Sequence, residues 1–409
     1  MNLSEFYEIT GRSSARNKFA LTSTNSQKLQ EILLSKINHS SYRRITFAQY
    51  MNTVLYEQNF GYYNSGVVGI GSQGDFFTSS SLGKDFGELL AIQLSEMWHY
   101  LGCPNPFQVV EIGAGNGELA QDILNFWHHS EQQALIEALS YTIVEQSPVL
   151  LKQQQQRLEP FNNLRLTWKT LAEISDSSIE GCIISNELVD AFPVHLITKQ
   201  DHRLQEVYLT IEDGKLTEII DDLSTEKLAQ YFDLIEVDLL QSEFPDGYRT
   251  EVNLQALDWI RAIASKIKRG YVLTIDYGYP AERYYRPSRN QGTLQCYYQH
   301  RHHNNPYVNL GDQDFTAHVD FTALQRQGEL VNLHTIGFTQ QGLFLMALGL
   351  GDRLDELSNG KFTIPEIFKR RNALHQLINP TGLGGFGVLI QGKNLTASEK
   401  TLQGLVIPD

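Results

Sequence analysis

Three glycines alternate with small residues in Glu111-Ile112-Gly113-Ala114-Gly115-Asn116-Gly117, directly after the apolar run Phe107–Ile112. Glycines at this spacing let the backbone approach a ligand where a Cβ would obstruct, and they permit positive φ. A dinucleotide fingerprint needs its third glycine at position 118, where Glu118 stands. A phosphate-binding loop needs a following Gly-Lys-Ser/Thr, which is absent. The loop therefore suits a ligand without phosphate, held by acidic and polar groups. Glu145, directly after the next apolar run, can accept hydrogen bonds from both hydroxyls of a ribose, and Glu111 can brace the loop or reach an amino group. Farther on, Asn186-Glu187-Leu188-Val189-Asp190 sets two carboxylates three residues apart. On a helical turn such a pair faces one way. It can fix and desolvate a basic acceptor such as a guanidinium by directional, charge-assisted bonds. Each carboxylate alone has a plainer explanation, a strand-end charge or a helix-start cap. Their joint placement after strands argues for a site, because ligands of open parallel sheets sit outside the carboxyl ends of the strands.

Two other groupings invite a chemical reading. Cys296-x₃-His300-x-His302-His303 has metal-ligating residue types, but a zinc site wants a second, closing pair and none is evident, so no metal is expected. His318, in Thr316-Ala317-His318-Val319-Asp320-Phe321, is a candidate catalytic group, although a lone histidine is as readily structural.

The elements that must position these residues follow from periodicity. Phe86, Leu89, Leu90, Leu94, Met97, Trp98 and Leu101 form a 3.6-residue stripe, and Pro104 ends it. Short apolar runs at Phe107–Ile112, Tyr141–Val144, Leu164–Trp168, Gly181–Ser185 and Gly270–Ile275 alternate with helical patterns, which implies βαβ units and a parallel sheet. Two more strands are expected at Leu330–Gly337 and Phe386–Gln391, with helices near Gln340–Gly349 and Ile364–Leu377. Between the fourth and fifth runs the pattern changes to antiparallel hairpins, with Asp213-Gly214 as a turn. The expected organisation is an N-terminal helical segment with a Gly-rich loop over 1–105, a main domain over 106–395 interrupted at about 194–250 and 277–313, and a tail over 396–409.

Composition excludes several classes. The chain has 409 residues, 33 Lys+Arg against 47 Asp+Glu and a formal charge of −14, which disfavours a general nucleic-acid binder. With 41% hydrophobic and 20% charged residues it can bury a sizeable core and is not expected to be disordered. Three widely spaced cysteines make no disulfide framework. No apolar run approaches the length of a membrane span, and Glu5 and Glu8 precede any basic residue in a start without an apolar stretch. The expectation is a soluble, cytoplasmic protein.

With the nucleotide fingerprints excluded, Glu-x-Gly-x-Gly-x-Gly reads as the glycine loop of class I S-adenosylmethionine-dependent methyltransferases. The chain as a whole resembles the MidA/NDUFAF-type (DUF185) family, which includes a mitochondrial complex I assembly factor with protein arginine methyltransferase activity. The resemblance rests on blocks in family order: GlyTyrTyr at 61–63, GDFFTSSSLGKDFGELLA at 74–91, VVEIGAGNGELAQDIL at 109–124, SNELVDAFPVH at 185–195, IDYGYP at 275–280, GTLQCYYQH at 292–300 and DQDFTAHVDF at 312–321. Gly-Asp-Phe-x-Thr-Ser and Asp-x-Thr-x-His-Val-Asp-Phe are distinctive to that family. Relatives carry GPGRGTL where this chain has Ala114, Asn116 and Glu118, a change that bears on the acceptor side or on the cofactor's carboxylate.

The resemblance implies an α/β fold, a Rossmann-like class I methyltransferase sheet with an N-terminal helical segment and inserted hairpins and helices. It implies S-adenosyl-L-methionine as cofactor, with Gly74, Asp75 and Thr78 beside it and Glu111, Gly113, Ala114, Gly115, Gly117, Glu145 and Asn186 holding it. Glu187, Asp190 and His318 would line the reaction cleft and carry catalysis. The acceptor implied is a protein arginine, and the partner a subunit of a complex I-like dehydrogenase met during assembly. Two other readings stay open on the residues alone: a small-molecule O- or N-methyltransferase, and a non-catalytic assembly chaperone that binds the cofactor.

Overall fold

Val, Ile, Leu and Tyr fill the inner strands of the central sheet, which have helices on both faces and so run as nearly continuous apolar stretches rather than alternating ones. In the computed structural model, which describes residues 24–66, 78–130, 132–299 and 301–406, this sheet has seven strands. They are β1 (Phe107–Ile112), β2 (Leu139–Val144), β3 (Arg165–Lys169), β4 (Ile179–Asn186), β5 (Ile267–Asp276), β6 (His334–Gln340) and β7 (Gly387–Lys393). Their order is β3-β2-β1-β4-β5-β7-β6. The first five are parallel, and β7 runs antiparallel to both β5 and β6. The strand order reverses between β1 and β4, so the crevice of a doubly wound sheet opens above the ends of those two strands. The loops that leave them carry Gly113–Gly117 and Glu187–Asp190.

One face is covered by the helices Asp85–Tyr100, Glu118–His129 and Ile364–Ile378, around Phe86, Leu94, Ile123, Trp127, Tyr271 and Phe344. The other is covered by Leu254–Lys266 and Phe321–Leu330, around Trp259, Ile260, Ile263, Phe321 and Leu324. Residues near the end of the chain also join this core: Leu402 is buried and the Tyr271 hydroxyl donates to the Glu399 carbonyl at 2.7 Å.

The sequence places a strand over Leu330–Gly337, and the structure begins it at His334. Asp320 accounts for the difference. Its Oδ1 accepts the Ala323 N–H at 3.2 Å and starts a helix that runs to Leu330, and Asn332, at φ 58°, then turns the chain into β6.

The segment between β4 and β5 builds a second sheet from His195–Gln200, Arg203–Glu212, Lys215–Asp221 and Arg249–Val252, joined by the short strand Ile45–Thr46 from the N-terminal region. Asp213 and Gly214 both have positive φ (48° and 75°), the turn that matches strand twist in a two-residue hairpin. Helices Thr24–His39 and Phe47–Tyr56 pack on this sheet through Leu29, Leu33, Phe47, Tyr50 and Met51. Thr46 and Gln49 close a reciprocal cap at the start of the second helix, at 3.0 and 3.1 Å. This packing positions Tyr56 and Tyr63 against the site. A third, three-stranded sheet of Gln295–Tyr298, Arg301–His303 and Asp314–Thr316 forms the opposite wall. No helix among the described residues is long and apolar enough to cross a membrane.

Candidate active site

Gly113, Gly115 and Gly117 have φ of 73°, 54° and 84°, so the loop after β1 runs through conformations that side chains disfavour. A Cβ on Gly113 would lie 2.7 Å from Leu188 Cδ1, so the loop also packs against the one that follows β4. Gln154 links the loop to Glu145. Its amide donates to the Gly115 carbonyl at 2.8 Å and to Glu145 Oε2 at 2.9 Å, while Trp168 Nε1 donates to Gln154 Oε1 at 3.2 Å. Glu145 Oε1 accepts the Gln146 and Ser147 N–H groups, both at 2.8 Å. Burial raises the pKa of Glu145, and these bonds oppose the rise. A carboxylate offers about four acceptor sites, so one remains for a ligand.

Glu111 lies deeper. Its Oε2 accepts the Tyr141 hydroxyl at 2.7 Å, and burial lifts its pKa to about 7. The structure thus sets Glu111 under the glycine loop, bonded across β1 and β2, while Glu145 stands half-exposed at the rim.

At the end of β4, Asn186 leads into Glu187, whose φ is 50°, a left-handed conformation rare for a residue with a side chain. Such outliers persist where the surroundings over-determine them, and here they do. The Glu187 N–H donates to the Ile275 carbonyl at 2.9 Å, and Glu187 Oε1 accepts the Ser79 N–H at 2.9 Å and the Asn186 amide at 3.2 Å. Asp276, at the end of β5, holds the next three residues: its Oδ2 accepts the N–H groups of Leu188, Val189 and Asp190 at 3.2, 2.8 and 3.2 Å. Its Oδ1 accepts the Tyr277 N–H at 2.9 Å. Asp314 comes in from the third sheet, accepting the Tyr63 hydroxyl at 3.0 and 2.9 Å. The Ala317 N–H donates to the Asp190 carbonyl at 3.0 Å and ties this wall to the β4 loop.

Four carboxylates thereby converge. Burial, then repulsion from Asp276, Asp314 and Glu187, raises the pKa of Asp190 well above the usual range. Burial raises Glu187 to about 7, and burial together with the charge of Glu187 raises Asp276. Among the described residues no lysine, arginine or histidine lies within ion-pair distance of Glu187, Asp190 or Asp276. Nor do the described residues form a group of carboxylate, thiol and imidazole ligands spaced to hold a metal ion. Burial without a counter-ion favours the protonated form of these groups, and a cation arriving from outside would favour the ionised form.

His318 borders this cluster without bonding to it. Its ring meets Tyr277 and Tyr279 edge-on, at centroid distances of 4.8 and 5.1 Å. Burial, and secondarily the charge of Arg289, lowers its pKa to about 4, so the ring is neutral at pH 7. Its Nδ1 is buried without a hydrogen-bond partner, as is Asn186 Oδ1. His318 thus stands packed beside the cluster, and its low pKa makes it a poor proton acceptor at neutral pH.

Thr78 is described at the edge of the cleft, its Oγ1 3.1 Å from Ser80 Oγ, next to the Ser79 N–H that binds Glu187. Gly74 and Asp75 lie outside the described residues. Two groups of sequence-predicted residues therefore meet: Gly113–Gly117 with Glu145, and Asn186, Glu187 and Asp190. Asp276, Asp314, Tyr63 and Tyr277 join them; all four lie in the blocks that carry the family resemblance, but the sequence alone assigns them no role.

These residues fit S-adenosylmethionine. Its ribose hydroxyls and amino group are donors, its sulfonium is positive, and the residues facing the crevice are acceptors, including the orphaned Asn186 Oδ1. The glycine loop presents backbone without Cβ atoms.

Comparison with known proteins agrees. Residues 89–339 match the family Methyltransf_28, described as "Putative S-adenosyl-L-methionine-dependent methyltransferase". The chain is 31% identical over 340 residues to the mitochondrial protein arginine methyltransferase NDUFAF7 homolog of Drosophila melanogaster, covering 76% of this chain and 73% of that protein. It is 29% identical over 365 residues to mitochondrial protein arginine methyltransferase NDUFAF7 of Xenopus tropicalis, covering 84% and 80%. Its fold superposes with a TM-score of 0.80 on a COG1565 superfamily member from Burkholderia thailandensis bound to S-adenosyl-homocysteine, at 30% identity over 93% of this chain and 95% of that one. The chain belongs to the Methyltransf_28 family: it is a Rossmann-like methyltransferase whose cofactor is S-adenosyl-L-methionine.

Proposed function

We propose that this methyltransferase modifies a guanidinium nitrogen of an arginine in a substrate protein. The observation that carries the proposal is the buried cluster of Glu187, Asp190 and Asp276, flanked by Asp314 and lacking ion-pair partners on the first three among the described residues. The names of the relatives, protein arginine methyltransferases, support the same acceptor. When bound, the cofactor supplies an electrophilic methyl group on a sulfonium. Glu187 and Asp190 pair with the planar guanidinium, whose own pKa above about 12 keeps it charged on arrival. Pairing localises the positive charge on the nitrogens facing the carboxylates and leaves electron density on the remaining one. Asp276 acts indirectly, by holding the Leu188–Asp190 backbone so that both carboxylates face inward. Positioning of this kind can lower a barrier by roughly 7–11 kcal/mol. The proton released on methylation passes to Glu187, whose pKa, raised by burial to about 7, suits acceptance near neutral pH. Tyr277 and His318 exclude water from one side.

Glu145, Asn186, Thr78 and the 113–117 loop hold the cofactor in this reading. Glu145→Ala should weaken S-adenosylmethionine binding roughly 10- to 100-fold, the loss of a charge-assisted bond, as calorimetry would read directly. Unchanged affinity would move the ribose contact elsewhere. For the acceptor, protein extract incubated with the enzyme and methyl-labelled cofactor, then hydrolysed to amino acids, should yield labelled methylarginine. Label confined to lysine, carboxyl groups or small molecules would sink the arginine reading.

The partner we propose is a subunit of a complex I-like dehydrogenase. Loss of the gene without any change in the level of such a complex would count against it. We place the reaction in a reducing compartment such as the cytoplasm, since Cys103, Cys182 and Cys296 are all free thiols.

A further inference from the structure

The wall of the acceptor site continues into a basic edge. Tyr279, two residues beyond Tyr277, pairs in register with Asp320, and the Val319 N–H donates to the Tyr277 carbonyl at 3.0 Å. This short ladder fixes Tyr279 beside His318. On the Tyr279 ring lie two guanidinium groups, those of Arg283 and Arg289, each 4.6 Å from the ring centroid. Arg289 is further held by donating from Nη1 to the Tyr284 carbonyl at 2.9 Å and to the Arg283 carbonyl at 2.6 Å. Arg283 and Arg286 are exposed. Among the described residues no carboxylate lies within ion-pair distance of any of the three. Stacking on an aromatic face orients a guanidinium while leaving its N–H edge available.

We propose that Arg283 and Arg289 form a basic rim that binds acidic side chains of the substrate protein a few residues from the methylated arginine. The inference rests on the arginine-acceptor reading and adds a sequence context to it. The steps from Tyr277 to His318, to Tyr279 and to the guanidinium groups place the rim at most about 15 Å from the Tyr277 ring that borders the carboxylates, a distance that an extended chain covers in roughly four residues. An acidic pocket flanked by a basic rim is complementary to an arginine followed or preceded by aspartate or glutamate. The same arrangement repels an arginine embedded in lysines, which a uniformly acidic cleft would welcome. Specificity of this kind comes from the repulsive element as much as from the attractive one.

The test uses synthetic peptides with one central arginine, flanked at two to four residues by glutamate, glutamine or lysine, and labelled S-adenosylmethionine. The wild type should methylate the glutamate-flanked peptide about three- to tenfold faster in kcat/KM than the glutamine-flanked one, with lysine slowest. The preference should shrink as salt is raised. Arg283→Glu, at an exposed position, should invert the order toward lysine, and Arg289→Gln should flatten it, with cofactor affinity unchanged as the control for folding. Equal rates on all peptides, or an unchanged order in Arg283→Glu, would overturn the rim while leaving the arginine acceptor standing. Cofactor binding without methylation of any arginine peptide would instead overturn the acceptor reading, and the rim with it.

Discussion

Glu187→Gln and Asp190→Asn should each reduce methyl transfer by about 10²–10⁴-fold while leaving S-adenosylmethionine affinity within roughly a factor of three. Neither substitution removes volume. In Glu187→Gln the amide carbonyl oxygen would keep the bond that Glu187 Oε1 accepts from the Ser79 N–H at 2.9 Å, so the loop that carries the residue should hold its shape. What is lost is charge opposite the guanidinium and a place for its proton. A neutral amide offers one carbonyl where the carboxylate offers a bidentate acceptor, and its NH₂ would point a donor at a group made only of donors. Single-turnover rates with excess enzyme isolate this loss from product release, and calorimetry supplies the affinity. Turnover at the wild-type rate in both variants would show that the acceptor is held elsewhere. The same pair separates catalysis from a binding-only role. A double variant that still binds cofactor, transfers no methyl group and yet restores assembly of the partner complex in cells would make the chain's task that of a chaperone.

The sequence makes the first half of this site readable because its signals are local. The β1 run, three glycines and the helix begun at Glu118 occupy consecutive residues, and a loop that needs positive φ at 113, 115 and 117 leaves glycine as its signature. Glu145 and Asn186–Asp190 follow from position alone, being the first polar residues after strands whose carboxyl ends must form the crevice. The same reasoning extends to Asp276, which closes the β5 run, but a single strand-end aspartate gives no hint that three successive N–H groups of another loop converge on it. Asp314, Tyr63 and Tyr277 are harder still. They are brought together by the second and third sheets, whose pairings join residues 45–46 to 208–209 and 295–297 to 314–316, and nothing in the local pattern encodes those partners. His318 illustrates the opposite limit: its type suggested proton chemistry, and only its packing between two tyrosines, with the burial that follows, makes it a neutral wall.

A site built to receive a cation should make the free protein less stable than it could be, and Glu187→Gln is expected to expose that cost as a gain in stability at alkaline pH. The folded-state pKa of Glu187 is about 7, raised from 4.5 by burial. A carboxyl group with a raised pKa stabilises the fold while protonated. Its contribution is complete below the unfolded value of 4.5 and is lost as pH rises through about 7. Ionisation above that point also raises the charge facing Asp190 and Asp276, whose own pKa values Glu187 pushes up. Glutamine removes the titration but keeps the acceptor for Ser79. The variant and the wild type should therefore unfold at similar temperatures near pH 4.5, and the variant should gain over the wild type between about pH 5 and 7.5, the window set by those two pKa values. The full shift corresponds to about 3 kcal/mol, and relaxation of the pocket will reduce what is measured. The raised carboxyls outside the cluster, among them Glu111, Asp122 and Asp320, impose a similar slope on both proteins and cancel in the difference. Thermal unfolding at about pH 5 and about pH 8 checks this. A variant less stable than the wild type at the higher pH would mean that Glu187 is compensated by a cation within the protein itself, and the case for an incoming guanidinium would fall. A gain in stability together with lost turnover would tie the two effects to one cause: carboxylates kept close without a partner because the partner is the substrate.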